Sequence, residues 1–186
     1  MNELAGLWIP IVVSAFSVLI VNGIVSCVVR FHLPNWKELP EEDATVEFLQ
    51  KSGISPGVYL FPGRRKRSAG ESEESRLQRM ESGPWGTISI MSQPPDLGRM
   101  MMQASTFFLV INILIAHLAI QALGPADGFI TVFRFTGSTA ALAYAAGGIP
   151  NAIWHGGNFR TALVDVIQGI VLGIVTGAVF ATLWPT

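Results

Sequence analysis

Cysteine is all but missing from this chain. Cys27 stands alone among 186 residues, which excludes an intrachain disulfide framework and any zinc site built on paired thiolates. Charge is scarce as well, at 13% of residues, about half the share of an ordinary soluble domain. Histidine is limited to three scattered positions, and no repeat of about 20–50 residues recurs. The portable enzyme signatures are missing too: there is no P-loop, no GxGxxG after a strand, no HExxH, no GxSxG and no CxxC.

What the chain has in quantity is apolar sequence. Half its residues are hydrophobic and mean hydropathy is positive. These residues come in long blocks, whereas a soluble core spaces them at helix or strand period. Leu7 to Val29, Met100 to Leu123, Phe129 to Ile149 and Thr161 to Trp184 each reach the length of about 20 residues that a helix needs to cross a hydrocarbon core. In lipid every backbone amide must be bonded within its own segment, so such runs are expected to be helices. A barrel would show apolar–polar alternation over about ten residues instead.

The expected fold class is therefore an all-α membrane protein of four transmembrane helices, with a cytoplasmic α+β insert between the first and second. The divisions fall at 1–30 for the first helix, 31–99 for the insert and 100–186 for a three-helix region. Ile24-Val-Ser-Cys27 has the look of a bacterial lipobox, where lipid is attached to the cysteine after cleavage. The lack of Lys or Arg before the apolar run, and Arg30 directly after it, favour an uncleaved anchor.

Orientation follows from charge. Of the twelve Lys and Arg, all but Arg134 and Arg160 lie between Arg30 and Arg99. Arg160 belongs to the loop 150–160, expected on the same side as the insert. Both termini and the turn around Gly124-Pro-Ala-Asp127 carry no Lys or Arg. The positive-inside rule then places the insert in the cytoplasm and both termini in the periplasm of a bacterial inner membrane.

Within the insert, Pro40 and the acids Glu41, Glu42 and Asp43 precede Lys51 and Gly53, the start and stop signals of a short helix. Val46, Phe48 and Leu49 are its expected buried side. Residues 55–62 and 85–91 read as two short strands able to pair, since neither is stable by itself. The stretch from Gly63 to Ser82 is polar, and its middle reads as a mobile loop.

Three ionisable residues fall inside the apolar runs, where burial in lipid costs about 2.5–3.5 kcal/mol even on the lenient insertion scale. Asp165 is about one turn beyond Arg160, near the cytoplasmic headgroups. There it can anchor to the surroundings of Asn151, His155 and Asn158, or form a site. Arg134 lies a similar distance inside the opposite face and should not pair with Asp165. His117, level with Arg134, is a hydrogen-bonded packing residue, a ligand for haem or a pigment, or a proton relay. His32 and His155 belong to the other side of the membrane. No specific cofactor is indicated.

The clearest pattern concerns packing. Asp165, Gly169, Gly173, Gly177 and Ala181 recur every four residues, the small-xxx-small stripe that lets helices approach to backbone contact. Gly137, Ala141 and Ala145 offer a matching surface one run earlier, with Ser138 beside it. The two runs can pack on each other as an antiparallel pair, or the stripe can dock a partner's helix. Trp8 and Trp184 are expected in one interfacial belt, Trp36 and Trp154 in the other. Arg64-Arg-Lys-Arg67 suits anionic lipid at about 1 kcal/mol per basic residue. It is too short, and too soon followed by acids, for nucleic acid.

Trp8-Ile-Pro-Ile-Val-Val-Ser-Ala15, Leu39-Pro40 with Glu42-Asp43, Pro56-Gly-Val-Tyr-Leu-Phe-Pro62, Asp165, Thr176-Gly-Ala-Val-Phe180 and Trp184-Pro185 together resemble an uncharacterised family of small four-helix bacterial inner-membrane proteins. The resemblance runs over most of the chain except 63–82. It implies the same membrane topology and carries over no catalytic or binding residue.

The functional expectation is a non-enzymatic accessory or assembly subunit that meets the bilayer and a membrane-protein partner, or a further copy of itself. The alternatives are a small transporter or ion-conducting oligomer using Asp165, His117 or Arg134, and a haem- or pigment-binding subunit through His117.

Overall fold

The computed structural model describes residues 2–26, 38–63, 72–155 and 157–185. Arg30, His32, Trp36, Cys27 and the Arg64–Arg67 run lie outside the described residues. The described residues are mostly helical and hold one two-stranded sheet. It divides into two compact units: Met1–Trp36, Asp96–Ile153 and Gly157–Thr186 form the first, Lys37–Pro95 and Trp154–Gly156 the second.

The first unit is a helical bundle. It opens with α1 (Asn2–Gly6), which breaks at Leu7, and continues as α2 (Trp8–Ile24). Pro10 sits in the first turn of α2, where a missing N–H costs no hydrogen bond. Two helices, α5 (Leu97–Ala122) and α8 (Phe159–Thr182), are long and apolar enough to cross a membrane. Asp96 caps α5 by accepting from the Arg99 amide at 2.6 Å, and Asn158 caps α8 by accepting from the Arg160 amide at 2.9 Å.

α6 (Phe129–Ala145) stops short of the expected Ile149. The chain turns at Ala146-Gly147, and α7 (Gly148–His155) then occupies much of the stretch expected as a loop. Pro150 is the reason: tolerated in the first turn of α7, it could not have continued α6 without deleting a helix hydrogen bond.

α6 packs on α8, α8 on α2, α2 on α5 and α5 on α6, closing a four-helix ring. Its core is in two parts. Leu7, Ile11, Ile115, Ala119, Val132 and Phe180 belong to one apolar cluster, and Ala15, Val18, Phe108 and Leu172 to another. At the changeover α2, α5 and α8 each bury a polar residue: Ser14, Asn112 and Thr176. The Asn112 Nδ2 donates to the Phe108 carbonyl at 2.8 Å and to the Tyr144 hydroxyl at 3.1 Å. The Thr176 hydroxyl approaches the same phenol without reaching hydrogen-bond geometry. Trp184, expected in an interfacial belt, is instead buried in the first cluster, where its indole N–H donates to the Gly124 carbonyl at 3.1 Å. Buried Trp commonly needs such an acceptor. Trp8 is exposed, as is Trp154.

The second unit holds α3 (Glu42–Lys51), β1 (Gly57–Phe61), α4 (Glu73–Ser82) and β2 (Gly86–Ile90). The strands pair antiparallel with Tyr59 opposite Ile88. Tyr59, Phe61, Ile88 and Ile90 are half-buried on one face, while Val58, Leu60, Thr87 and Ser89 are exposed on the other.

Two expectations are corrected here. The polar stretch 63–82, its middle expected as a mobile loop, ends in α4 from Glu73 onward, while 64–71 lie outside the described residues. Ser72 caps it by accepting from the Ser75 amide, Glu73 and Glu74 fill the first turn, and Arg76 pairs with Glu73 at 2.8 Å. On α3, Val46 and Phe48 are exposed and only Leu49 is half-buried, so the helix lacks the expected buried side.

Candidate functional site at the Asp165 end of the bundle

The glycine stripe is the foundation of the site. A methyl group on Gly169 would fall 2.7 Å from the Ala145 nitrogen, one on Gly173 would fall 2.7 Å from both the Ala141 Cβ and the Gly137 carbonyl, and one on Gly177 would fall 2.9 Å from the Phe133 carbonyl. Numbers rise along α8 as they fall along α6, so the pair is antiparallel. The stripe therefore lies against this chain's own α6, with Gly137 and Ala141 supplying the facing surface.

Asp165 continues that stripe by one step, at the point where α6 has ended. There Gly148 opens α7, and a Cβ on it would stand 3.0 Å from Asp165 Oδ2. The half-buried Asp165 forms a wall shared by two cavities. One, of about 220 Å³, has Asn151, Asn158 and Thr161 in its lining. The other, of about 260 Å³, is lined by Asn22, Gln168 and Tyr144 on its polar side and by Phe107 and Phe108 on its apolar side. Gln168 Nε2 donates to Asn22 Oδ1 at 2.6 Å, tying α8 to α2 across this cavity. The three rings form a mutual cluster, with Phe108 edge-on to Tyr144 at 5.7 Å and Phe107 edge-on to Phe108 at 5.5 Å.

The other two candidates lie elsewhere. Arg134 is exposed on α6 and lines a separate pocket with Phe133, Gly137 and Ile174, so it shares no cavity with Asp165. His117 is exposed on α5, its Nε2 lying 2.9 Å from the Gln121 side-chain nitrogen four residues on. Sequence reasoning missed Asn22, Tyr144 and Gln168. The signal was there, since each is a polar residue inside an apolar run, but their convergence depends on how four helices face one another. Among the described residues no group of three His, Cys, Asp or Glu converges.

Comparison with protein-family models, with curated proteins and with solved structures returned no match, so the site is read from this chain's own geometry.

Proposed function

We propose that the chain is a polytopic inner-membrane protein in which α2, α5, α6 and α8 all cross the bilayer, and that it serves as a non-enzymatic accessory or assembly subunit of a larger membrane complex. Support for the membrane comes from where the apolar surface faces. The most apolar stretches of α5 and α8 are only 28% and 33% buried, whereas the core helix of a soluble protein turns its apolar face inward. Phe16 and Ile20 on α2, Leu114 and Leu118 on α5 and Ile170 and Ile174 on α8 all point outward. A soluble monomer rarely leaves apolar surface on this scale exposed.

The subunit reading is carried by the second unit. Among its described residues none is buried, its sheet has two strands, and Val58, Leu60, Phe48 and Met91 are exposed. A lone two-stranded hairpin is marginal in water, and a partner chain that covers it would supply the missing core. The small-residue stripe, already engaged with α6, does not bear on the partner. The resemblance to small four-helix bacterial inner-membrane proteins agrees with the proposed topology.

The test is a native pull-down with a C-terminal tag in mild detergent, followed by mass spectrometry and gentle crosslinking. A stoichiometric protein partner is the expected result, and a lone monomer would sink the subunit reading. Single cysteines placed in the insert, in a Cys27→Ser background, should label from the cytoplasmic side only.

A second reading, a small transporter or ion-conducting oligomer, is favoured by the polar cavities that share Asp165. Asp165→Ala should then abolish flux in proteoliposomes, and unchanged flux would remove it.

A further inference from the structure

We infer that the furrow along the outer side of the α6–α8 seam binds one anionic phospholipid, its phosphate on Arg134 and an acyl chain in the furrow. This site presupposes the membrane reading above and adds a particular lipid to it. Arg134 and Ser138 stand four residues apart on α6, so they share a face, and both are exposed. No hydrogen bond or ion pair ties either side chain to the described residues. The neighbours Thr136 and Thr139 behave differently, each donating to the carbonyl four residues earlier. A guanidinium and a hydroxyl are thus left with donors for whatever covers this face.

The furrow has the polarity of a lipid. It encloses about 210 Å³ beside Phe133, Gly137 and Ala141 on α6 and Ile170 and Ile174 on α8. Among the described residues that line it, Arg134 is the only charged one, so the complementary headgroup is an anion. A zwitterionic headgroup brings its own cation beside the phosphate and suits the site less well. α6 begins at Phe129, which puts Arg134 about 7.5 Å along the helix at about 1.5 Å per residue. A helical side chain leans toward the N-terminus of its helix, and this carries the guanidinium back to the bilayer surface, where phosphates lie. Ala141 is about 10 Å deeper. A cation at the surface with an apolar furrow beneath it repeats the order of phosphate and acyl chain.

The floor of the furrow favours a chain over a helix. A methyl group on Gly137 would stand 3.2 Å from the Gly173 carbonyl, and the Ala141 Cβ would lie 2.7 Å from one on Gly173. The close approach that these small residues permit is therefore taken by α8. Outside it the bulk of Phe133, Ile170 and Ile174 leaves an uneven surface, which a flexible acyl chain follows more readily than a rigid helix does.

The experiment uses phosphatidylglycerol and phosphatidylcholine with the same diazirine-bearing acyl chain, each in turn a trace probe in nanodiscs that hold the full chain. Adducts are mapped by peptide mass spectrometry. Leu114, exposed on α5 and eight residues from the end of that helix, is close in depth to Ser138 and serves as internal standard. It cancels any general attraction of the chain for anionic lipid. Relative to Leu114, phosphatidylglycerol should label Ser138, Ile170 and Ile174 about fivefold more than phosphatidylcholine does. Arg134→Gln should abolish that preference, Arg134→Lys should keep part of it, and a large excess of free glycerol phosphate should leave it unchanged. Both variants alter an exposed side chain, so the fold is kept. Equal labelling by the two lipids in the parent chain overturns the inference, as does a preference that survives Arg134→Gln or is lost to free glycerol phosphate. Furrow residues that take no adduct from either lipid would assign the furrow to a partner's helix or a second copy, and overturn it too. Alkaline carbonate extraction separates this outcome from the membrane reading. A chain stripped from vesicles refutes both, while one that stays embedded without a headgroup preference refutes the lipid site alone.

Discussion

Gln168 on α8 and Asn22 on α2 stand 146 positions apart in the chain, and their side-chain amides meet at 2.6 Å. This bond closes the Asp165 end of the bundle, where the glycine stripe no longer holds α8. Interhelical hydrogen bonds among membrane helices average about 0.6 kcal/mol, with a ceiling near 1.7. A double-mutant cycle with Asn22→Ala and Gln168→Ala, read by unfolding in mild detergent, should therefore return a coupling of about 0.5–1.7 kcal/mol. No coupling would mean that the amides are solvated independently.

Gly173 is the position least able to accept a side chain. Its Cβ would stand 2.7 Å from the facing Ala141 Cβ and the Gly137 carbonyl, both of them parts of a helix that cannot swing aside. Gly173→Val should lower stability by roughly 1–3 kcal/mol through overpacking, seen as a fall in Tm. Gly23→Ala, which meets nothing within 4 Å, should be neutral or slightly stabilising.

Asn112 and Tyr144 form a buried polar pair. Tyr144→Phe removes the acceptor and should cost about 1 kcal/mol, because Asn112 stays buried with less to bond. Asn112→Leu together with Tyr144→Phe should recover most of that loss, since removing both partners leaves no orphan. A double variant less stable than Tyr144→Phe would show that Asn112 has a structural role beyond this bond.

The Trp184 indole holds the end of the chain to the α5–α6 turn through the Gly124 carbonyl. Trp184→Phe keeps most of the packing and loses the bond, so about 0.5–1.5 kcal/mol should go. Hydrogen exchange should rise at residues 123–128 before it rises elsewhere. Uniform exchange across the bundle would argue against a local latch.

Much of this arrangement was legible from spacing. The four-residue recurrence on α8 and the small residues of α6 named the faces that meet, because close helix approach has few other solutions. The start of α4 went unread: Ser72 before Glu73-Glu74 is a capping pattern, but the polarity around it suggested a loop. The end of α6 was harder, since Gly147, Gly148 and Pro150 follow an apolar run and hydropathy by itself reads on through them. Trp184 and the Asn22–Gln168 pair were not legible, because an interfacial tryptophan and a buried one look alike in sequence. A polar residue inside an apolar run likewise says nothing about which distant residue it will meet. Among the residues of that cavity Gly169 was singled out beforehand for packing and Asp165 on the cost of a charge in lipid; the amides and rings around them carry no such penalty and so raised no flag.

The backbone contact between α6 and α8 also constrains how this sequence can drift. Gly137 and Gly173 are already the smallest residues possible, and Ala141 can shrink by one methyl group only. Any gain of volume on the inner face of α8 therefore has almost no compensating loss open to it across the contact. The outward face, with Leu163, Ile167, Ile170 and Ile174 exposed, faces no such partner and can exchange one apolar side chain for another freely. Among related chains, variation on α8 should be abundant on one side of the helix and nearly silent on the other, and that imbalance would mark the face turned to α6 without any structure in hand.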